Sequence, residues 1–232
     1  MLNSESTENQ PGLILEGMAK PFSRRKFFGI MGAGTAMMVT AAACNKHHHD
    51  NDGVNLGSGD IGVLNYAYTL EQLEAAFYIK VIAEPYGKIN DMERAYLTDV
   101  RDHEIAHREF FKAALGSSAI QKIEVDFHAV DFRDRTMVLA TAKAFEDLGV
   151  SAYNGAGKLL SNPAYLTLAG KIVSVEARHA ALIRDLIKPG SFADMTAVDA
   201  NGLDAERSPN QVLSIAGAFI KTKINASNLP IK

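Results

Sequence analysis

The pattern Glu-x-x-His occurs twice in this chain, as Glu104-Ile105-Ala106-His107 and as Glu176-Ala177-Arg178-His179, each inside an apolar stripe of helical period. Residues three apart on a helix are neighbours on one face, so each copy sets a carboxylate beside an imidazole. A further glutamate lies upstream of each copy, Glu71 at 33 residues before Glu104 and Glu146 at 30 before Glu176. Two such sets predict two helical hairpins that deliver six polar groups to one core. The fold class that accommodates them is all-α: an antiparallel four-helix bundle around a dinuclear metal site.

Each of these glutamates stands where a core residue belongs. The same-face neighbours of Glu71 are Leu64, Ala75 and Tyr78, and those of Glu104 are Leu97, Val100 and Phe111. Glu146 is flanked by Leu139, Ala142, Val150 and Tyr153, and Glu176 by Ala169, Ile172, Ala180 and Ile183. A buried ionised carboxylate is costly unless it is paired, protonated or bound to a cation, and four together repel one another. Two divalent cations answer both problems. Carboxylate and imidazole donors without thiolates favour iron or manganese over a structural zinc site, and the residues do not choose between those two metals.

The two halves align internally. Leu70-Glu71-x-Leu73 with Tyr78 lies over Phe145-Glu146-x-Leu148 with Tyr153, matching Glu, Leu and Tyr in register. This favours Glu71 over Glu74 as the first-helix ligand. Glu74 restores the 30-residue interval and stays open as a substitute or outer partner. Tyr78 and Tyr153 read as core residues with hydrogen-bonded hydroxyls. His103 and Arg108 read as solvent-facing, and His128 has no partner visible in the sequence.

Start and stop signals divide the region into four helices. The first runs from about Asp60 to Glu84 and is halted by Pro85; the second starts after Asn90 and ends at Leu115-Gly116. The third runs from near Asp131 to about Leu160, and the fourth from Asn162-Pro163 to Lys188 before Pro189-Gly190. Short turns inside each pair make the partners antiparallel. Residues 117–130 form the one long crossover, between helices two and three. A short helix, Pro209 to Phe219 capped by Ser208, is expected in the C-terminal tail. The expected domains are thus an export signal over 1–44, a His- and Gly-rich linker over 45–60, the bundle over 61–188 and the tail over 189–232.

The leader is read from Ser23-Arg24-Arg25-Lys26-Phe27, followed by an uncharged stretch of 17 residues from Phe27 to Ala43, too short and too weakly apolar for a spanning helix. It resembles a twin-arginine export signal. Cys44, the only cysteine, follows three alanines in a run similar to a lipoprotein box, with Ala41 where a larger residue is usual. The alternatives are lipidation at Cys44 and ordinary cleavage after Ala-x-Ala. A lone cysteine excludes an internal disulfide. His47-His48-His49-Asp50 reads as a solvated spacer, with loose metal binding as the other reading. The expected location is periplasmic or at the cell envelope, with membrane contact only through a lipid at Cys44. Mixed charges with a net of −3 exclude the basic footprint of a nucleic-acid binder.

Residues 61–188 resemble the ferritin-like superfamily, in particular its exported branch with twin-arginine leaders, and Glu-x6-Tyr followed by Glu-x-x-His is similar to the rubrerythrin pattern. The resemblance implies metal ligands at Glu71, Glu104, His107, Glu146, Glu176 and His179, two iron ions with manganese as the alternative, and reaction with oxygen or peroxide by a di-iron oxidoreductase. It also implies a homodimer paired through outer faces. The chain has no Cys-x-x-Cys rubredoxin module, so internal electron delivery of the rubrerythrin type is not expected. Its length and tail differ from the cage-forming ferritins, which argues against storage in a shell. The second function class is a non-enzymatic, desiccation- or stress-associated bundle at the envelope, with a structural metal or none.

Overall fold

The protein was analysed as a computed structural model in which residues 53–230 are described. The export motif, Cys44 and the His47–Asp50 run lie outside the described residues. Four long helices dominate: α1 (Gly59–Ala83), α2 (Asp91–Leu115), α3 (Arg135–Gly157) and α4 (Pro163–Ile187). They pack as two antiparallel pairs, α1 with α2 and α3 with α4, joined by the crossover. The chain forms the expected four-helix bundle. A short α5 (Pro209–Ala216), continued by a 3₁₀ turn over Gly217–Phe219, lies in the tail.

The helix ends follow their sequence signals. Asn90 accepts the N–H of Glu93, Asp134 that of Thr136 and Asn162 that of Ala164, each satisfying an orphan first-turn donor. Ser208 and Gln211 complete a capping box on α5. Helix α2 stops at Gly116, whose φ of 54° suits glycine. Helix α3 starts four residues later than the expected Asp131, because that aspartate accepts the N–H of Arg133 in a turn of its own and leaves the cap to Asp134. It also ends earlier, at Gly157.

Helix α1 is buried on almost every side, from Gly62 through Ala75 without a break. Two of its polar side chains there, Asn65 and Gln72, serve the flanking loops. Asn65 donates to the carbonyls of Leu56 and Ser118 and accepts the N–H of Ile120, and Gln72 accepts the N–H of Ile123. These bonds satisfy loop backbone that packing would otherwise strand. An aromatic cluster of Phe77, Phe127, Phe132, Phe145 and Phe219 fills the core beside it, with Phe145 and Phe219 edge-to-face at 4.8 Å.

The segment ahead of α1 and the tail join. Strands β1 (Val54–Asn55) and β2 (Ile224–Asn225) pair in parallel, and Leu56 beside them is fully buried. Further along the tail, Arg207 donates its N–H to the Ser151 carbonyl at 2.9 Å, crossing α3 so closely that a Cβ at Gly155 would lie 1.9 Å from the Arg207 carbonyl oxygen. Arg184, buried, grips Asp147 with two nitrogens and Thr196 with two more bonds, fixing the tail to both α3 and α4. At one end of the bundle Arg135 makes a bidentate pair with Glu93 at 2.8 Å and donates to the Leu186 carbonyl, joining α2, α3 and α4.

Candidate metal centre

Helix α1 supplies Glu71, α2 supplies Glu104 and His107, α3 supplies Glu146, and α4 supplies Glu176 and His179. The bundle brings all six together. The four glutamates are 0% exposed, His179 is buried, and the His107 side chain is 12% exposed.

The donor atoms sort into two sets. His107 Nδ1 lies 3.4 Å from Glu71 Oε2, 3.7 Å from Glu104 Oε2 and 2.9 Å from Glu176 Oε1. His179 Nδ1 lies 2.8 Å from Glu104 Oε1, 3.4 Å from Glu146 Oε2 and 3.6 Å from Glu176 Oε2. Glu104 and Glu176 thus give one oxygen to each set, while Glu71 and Glu146 serve one set each. Within each set the ligating atoms all lie within 4.8 Å of one another.

The outer oxygens of the unshared glutamates are taken. Tyr78 on α1 donates to Glu146 Oε1 at 2.5 Å, and Tyr153 on α3 donates to Glu71 Oε1. Each hydroxyl therefore reaches across to the glutamate of the opposite hairpin. The sequence foretold hydrogen-bonded hydroxyls but carries no signal for the exchange of partners.

All eight inward atoms, the two Nδ1 and six carboxylate oxygens, are buried and lack a hydrogen bond of acceptable geometry. They are close without aiming at one another. Ligands about 2.1 Å from a common ion stand roughly 3.0 to 3.4 Å apart, and the six contacts, at 2.8 to 3.7 Å, bracket that range. Buried polar groups are normally satisfied, so eight orphans converging on two points fit cations. The residues present suit transition-metal ions.

The electrostatics of the metal-free centre point the same way. Burial raises Glu71, Glu104 and Glu146, the last to about 7, and repulsion from Glu176 adds to each. Burial opposes ionisation of Glu176 too, but His107 and His179 outweigh it and hold that carboxyl down at about 2. Burial alone would lower the two imidazoles. Glu104, Glu176 and Glu71 instead raise His107 to about 12, and Glu104, Glu146 and Glu176 raise His179 to about 12. Protons stand in for cations in a site built to hold positive charge.

Two further residues sit close by. Glu74 is buried, and its carboxyl is pushed well above the usual range by burial and by Glu104, Glu176, Glu146 and Glu71. It faces Gly149 on α3, where a Cβ would lie 3.0 Å from Glu74 Oε1. His103 corrects an expectation. It is exposed, yet its Nδ1 lies 2.9 Å from Nε2 of His179 with the rings nearly parallel, so it does not simply face solvent. The available signal was its position one turn before His107 on the same face. Arg108 is partly exposed and pairs with Glu109, and His128 has a partner after all, Asp126 at 2.8 Å.

A four-helix bundle with one crossover and two interlocked sets of carboxylate and imidazole donors defines a class of helical proteins able to hold metal ions in the core. The model of the ferritin-like domain matches residues 59–189, more than half of the chain. The protein belongs to the ferritin-like domain family. No curated protein matches it.

Proposed function

We propose that the chain holds two iron ions, with manganese as the alternative, and that the loaded centre reacts with dioxygen or peroxide. The observation that carries this reading is the set of eight buried, unpartnered donor atoms. Glu71, Glu104, His107 and Glu176 hold one ion; Glu146, His179, Glu104 and Glu176 hold the other. Once bound, a pair of redox-active ions supplies two electrons to a substrate.

The chain's own residues prepare the site. Glu104 and Glu176 tie the two positions together. Tyr78 and Tyr153 occupy the outer oxygens of Glu146 and Glu71, leaving only the inner oxygens to face the centre. Leu97, Val100, Ala142, Ile172 and Ile183, on the same helices as the ligands, are buried, and His107, with 12% of its side chain exposed, is the most exposed of the six ligands. Excluding water strengthens every charge interaction inside.

Elemental analysis of the native protein tests the metal. The double substitution Glu104→Ala with His107→Ala is expected to abolish bound iron while circular dichroism stays helical; unchanged iron content refutes the assignment. Stopped-flow mixing of the reduced, iron-loaded protein with peroxide or oxygen tests the reaction through its absorbance change. A silent trace favours the second reading, a non-enzymatic envelope protein with a structural metal. The closure of the centre is the observation on that side, since none of its four glutamates is exposed.

Export rests on the sequence alone, on Ser23 to Phe28 and Cys44. Cell fractionation tests it: Arg24→Lys with Arg25→Lys should retain the protein inside the cell, and Cys44→Ser should abolish incorporation of a fatty-acid label if the cysteine is lipidated.

A further inference from the structure

Resting on the dinuclear reading above, the geometry points to His103 as a positioning residue for His179, one that makes the two metal positions unequal. His179 presents Nδ1 to its carboxylate set, at 2.8 Å from Glu104 Oε1. An imidazole that ligates through Nδ1 is neutral and carries its proton on Nε2. That Nε2–H points at His103 Nδ1, 2.9 Å away, so His103 accepts the bond and keeps its own proton on Nε2. A partner on the far nitrogen of a ligating histidine fixes tautomer and ring orientation and raises ligand basicity.

The other half has no counterpart. Among the described residues no side chain hydrogen-bonds Nε2 of His107. Laying Glu104-x-x-His107 over Glu176-x-x-His179 puts Val175 at the register of His103, and valine has nothing to offer an N–H. His103 also reaches across from the opposite hairpin, from α2 to α4. The ring orientation of His179 is therefore held by a residue that is itself anchored only by the bundle being closed. His107 is held by its carboxylates alone.

Stepwise titration of the metal-free full chain with Co²⁺, read by ligand-field absorption and chelator competition, tests this. The wild type is expected to take up two ions. His103→Ala should weaken one binding step about 10- to 100-fold and leave the other unchanged. His103→Asn, whose Oδ1 occupies the place of Nδ1 and can accept the same bond, should restore most of it, whereas a merely structural role would not distinguish the two variants. Val175→Ala should leave both steps as they are. His103 is exposed and Val175 only half-buried, so none of these changes threatens the fold. Two unchanged steps in His103→Ala, or equal loss in both steps without rescue by Asn, overturns the inference and leaves the dinuclear reading standing. A wild type that binds no cobalt overturns both.

Discussion

The two hairpins of this bundle are copies at the centre and strangers at the edges. Glu71 with Tyr78 repeats as Glu146 with Tyr153, and Glu104 with His107 repeats as Glu176 with His179, each with the same contacts across the interface. Away from those residues the equivalence stops. Glu74 on α1 corresponds to Gly149 on α3, His103 to Val175, and the half-exposed Lys80 to Gly155, over which the tail passes. The shared residues build a buried cluster of carboxylates and imidazoles that could hold metal. The unshared ones decide what surrounds it: a fifth buried carboxylate and a histidine against His179, both from the first hairpin, and a strap over α3 alone.

The symmetric residues should give the largest effects. Replacing both shared glutamates, Glu104→Gln with Glu176→Gln, turns one oxygen of each into an amide nitrogen and removes two negative charges from the centre, and should reduce bound metal from two ions to none in elemental analysis. Glu71→Gln or Glu146→Gln alone should cost one position far more than the other. Equal loss of both ions from either single variant would break the division into two sets.

Gly155→Ala comes next, and it tests the asymmetry. Its Cβ would meet backbone rather than a flexible side chain, so relief requires the tail to lift from α3. The expected loss is about 3 kcal/mol in denaturant unfolding, at the upper end for overpacking. Gly149→Ala meets only the far end of Glu74 and should cost under about 1 kcal/mol. Comparable losses at the two glycines would show that the strap is not held where the structure places it.

Tyr78→Phe and Tyr153→Phe should be alike. Each leaves one buried glutamate oxygen without its donor, at about 1 to 3 kcal/mol apiece. A large difference between them would mean that the halves are unequal even at the centre.

Acidity offers a smaller, graded test. Groups whose folded pKa is raised stabilise the fold at low pH and lose that contribution as pH rises through the folded value. Glu146, raised to about 7, does so between 4.5 and 7, and Glu71, Glu74 and Glu104 shift in the same direction. Glu176, lowered to about 2, works the other way, its contribution present above 4.5 and lost only as pH falls toward 2. The raised groups outnumber it. The metal-free protein should therefore melt at a lower temperature at pH 8 than at pH 5. Metal loading should shrink that gap, and metal uptake at neutral pH should release protons held by His107 and His179, measurable from the buffer dependence of the binding heat.

The centre was legible because its signal is one of spacing. A glutamate at a core position of a helical stripe is conspicuous, and only a closed bundle brings Glu71, Glu104, Glu146 and Glu176 together. What escaped depends on how helices rotate against one another or on backbone without period. The bond from His179 to His103 needs the orientation of α4 relative to α2, which no stripe encodes. The pairing of Val54–Asn55 with Ile224–Asn225 rests on two residues in a polar, glycine-rich stretch that reads as linker. Asp131 and Asp134 are equally good caps on paper, and only the turn made by Arg133 separates them.

Glu74→Gln should have the smallest effect, and it bears on whether Glu71 or Glu74 serves the first position. Gln has nearly the shape of a protonated Glu, and burial together with the four surrounding carboxylates pushes the Glu74 carboxyl well above the usual range, favouring its protonated form. Its stability at pH 5 should shift by less than about 1 kcal/mol. At pH 8, where ionising a fifth carboxylate would add repulsion, the variant should be the more stable of the two, narrowing the gap between the pH values. The Glu71 inner oxygen lies in the His107 set and its outer oxygen accepts from Tyr153, whereas Glu74 has neither contact, so metal stoichiometry should stay at two ions in Glu74→Gln and fall in Glu71→Gln. The reverse outcome would exchange the two residues and, with them, shift the register by which α1 matches α3.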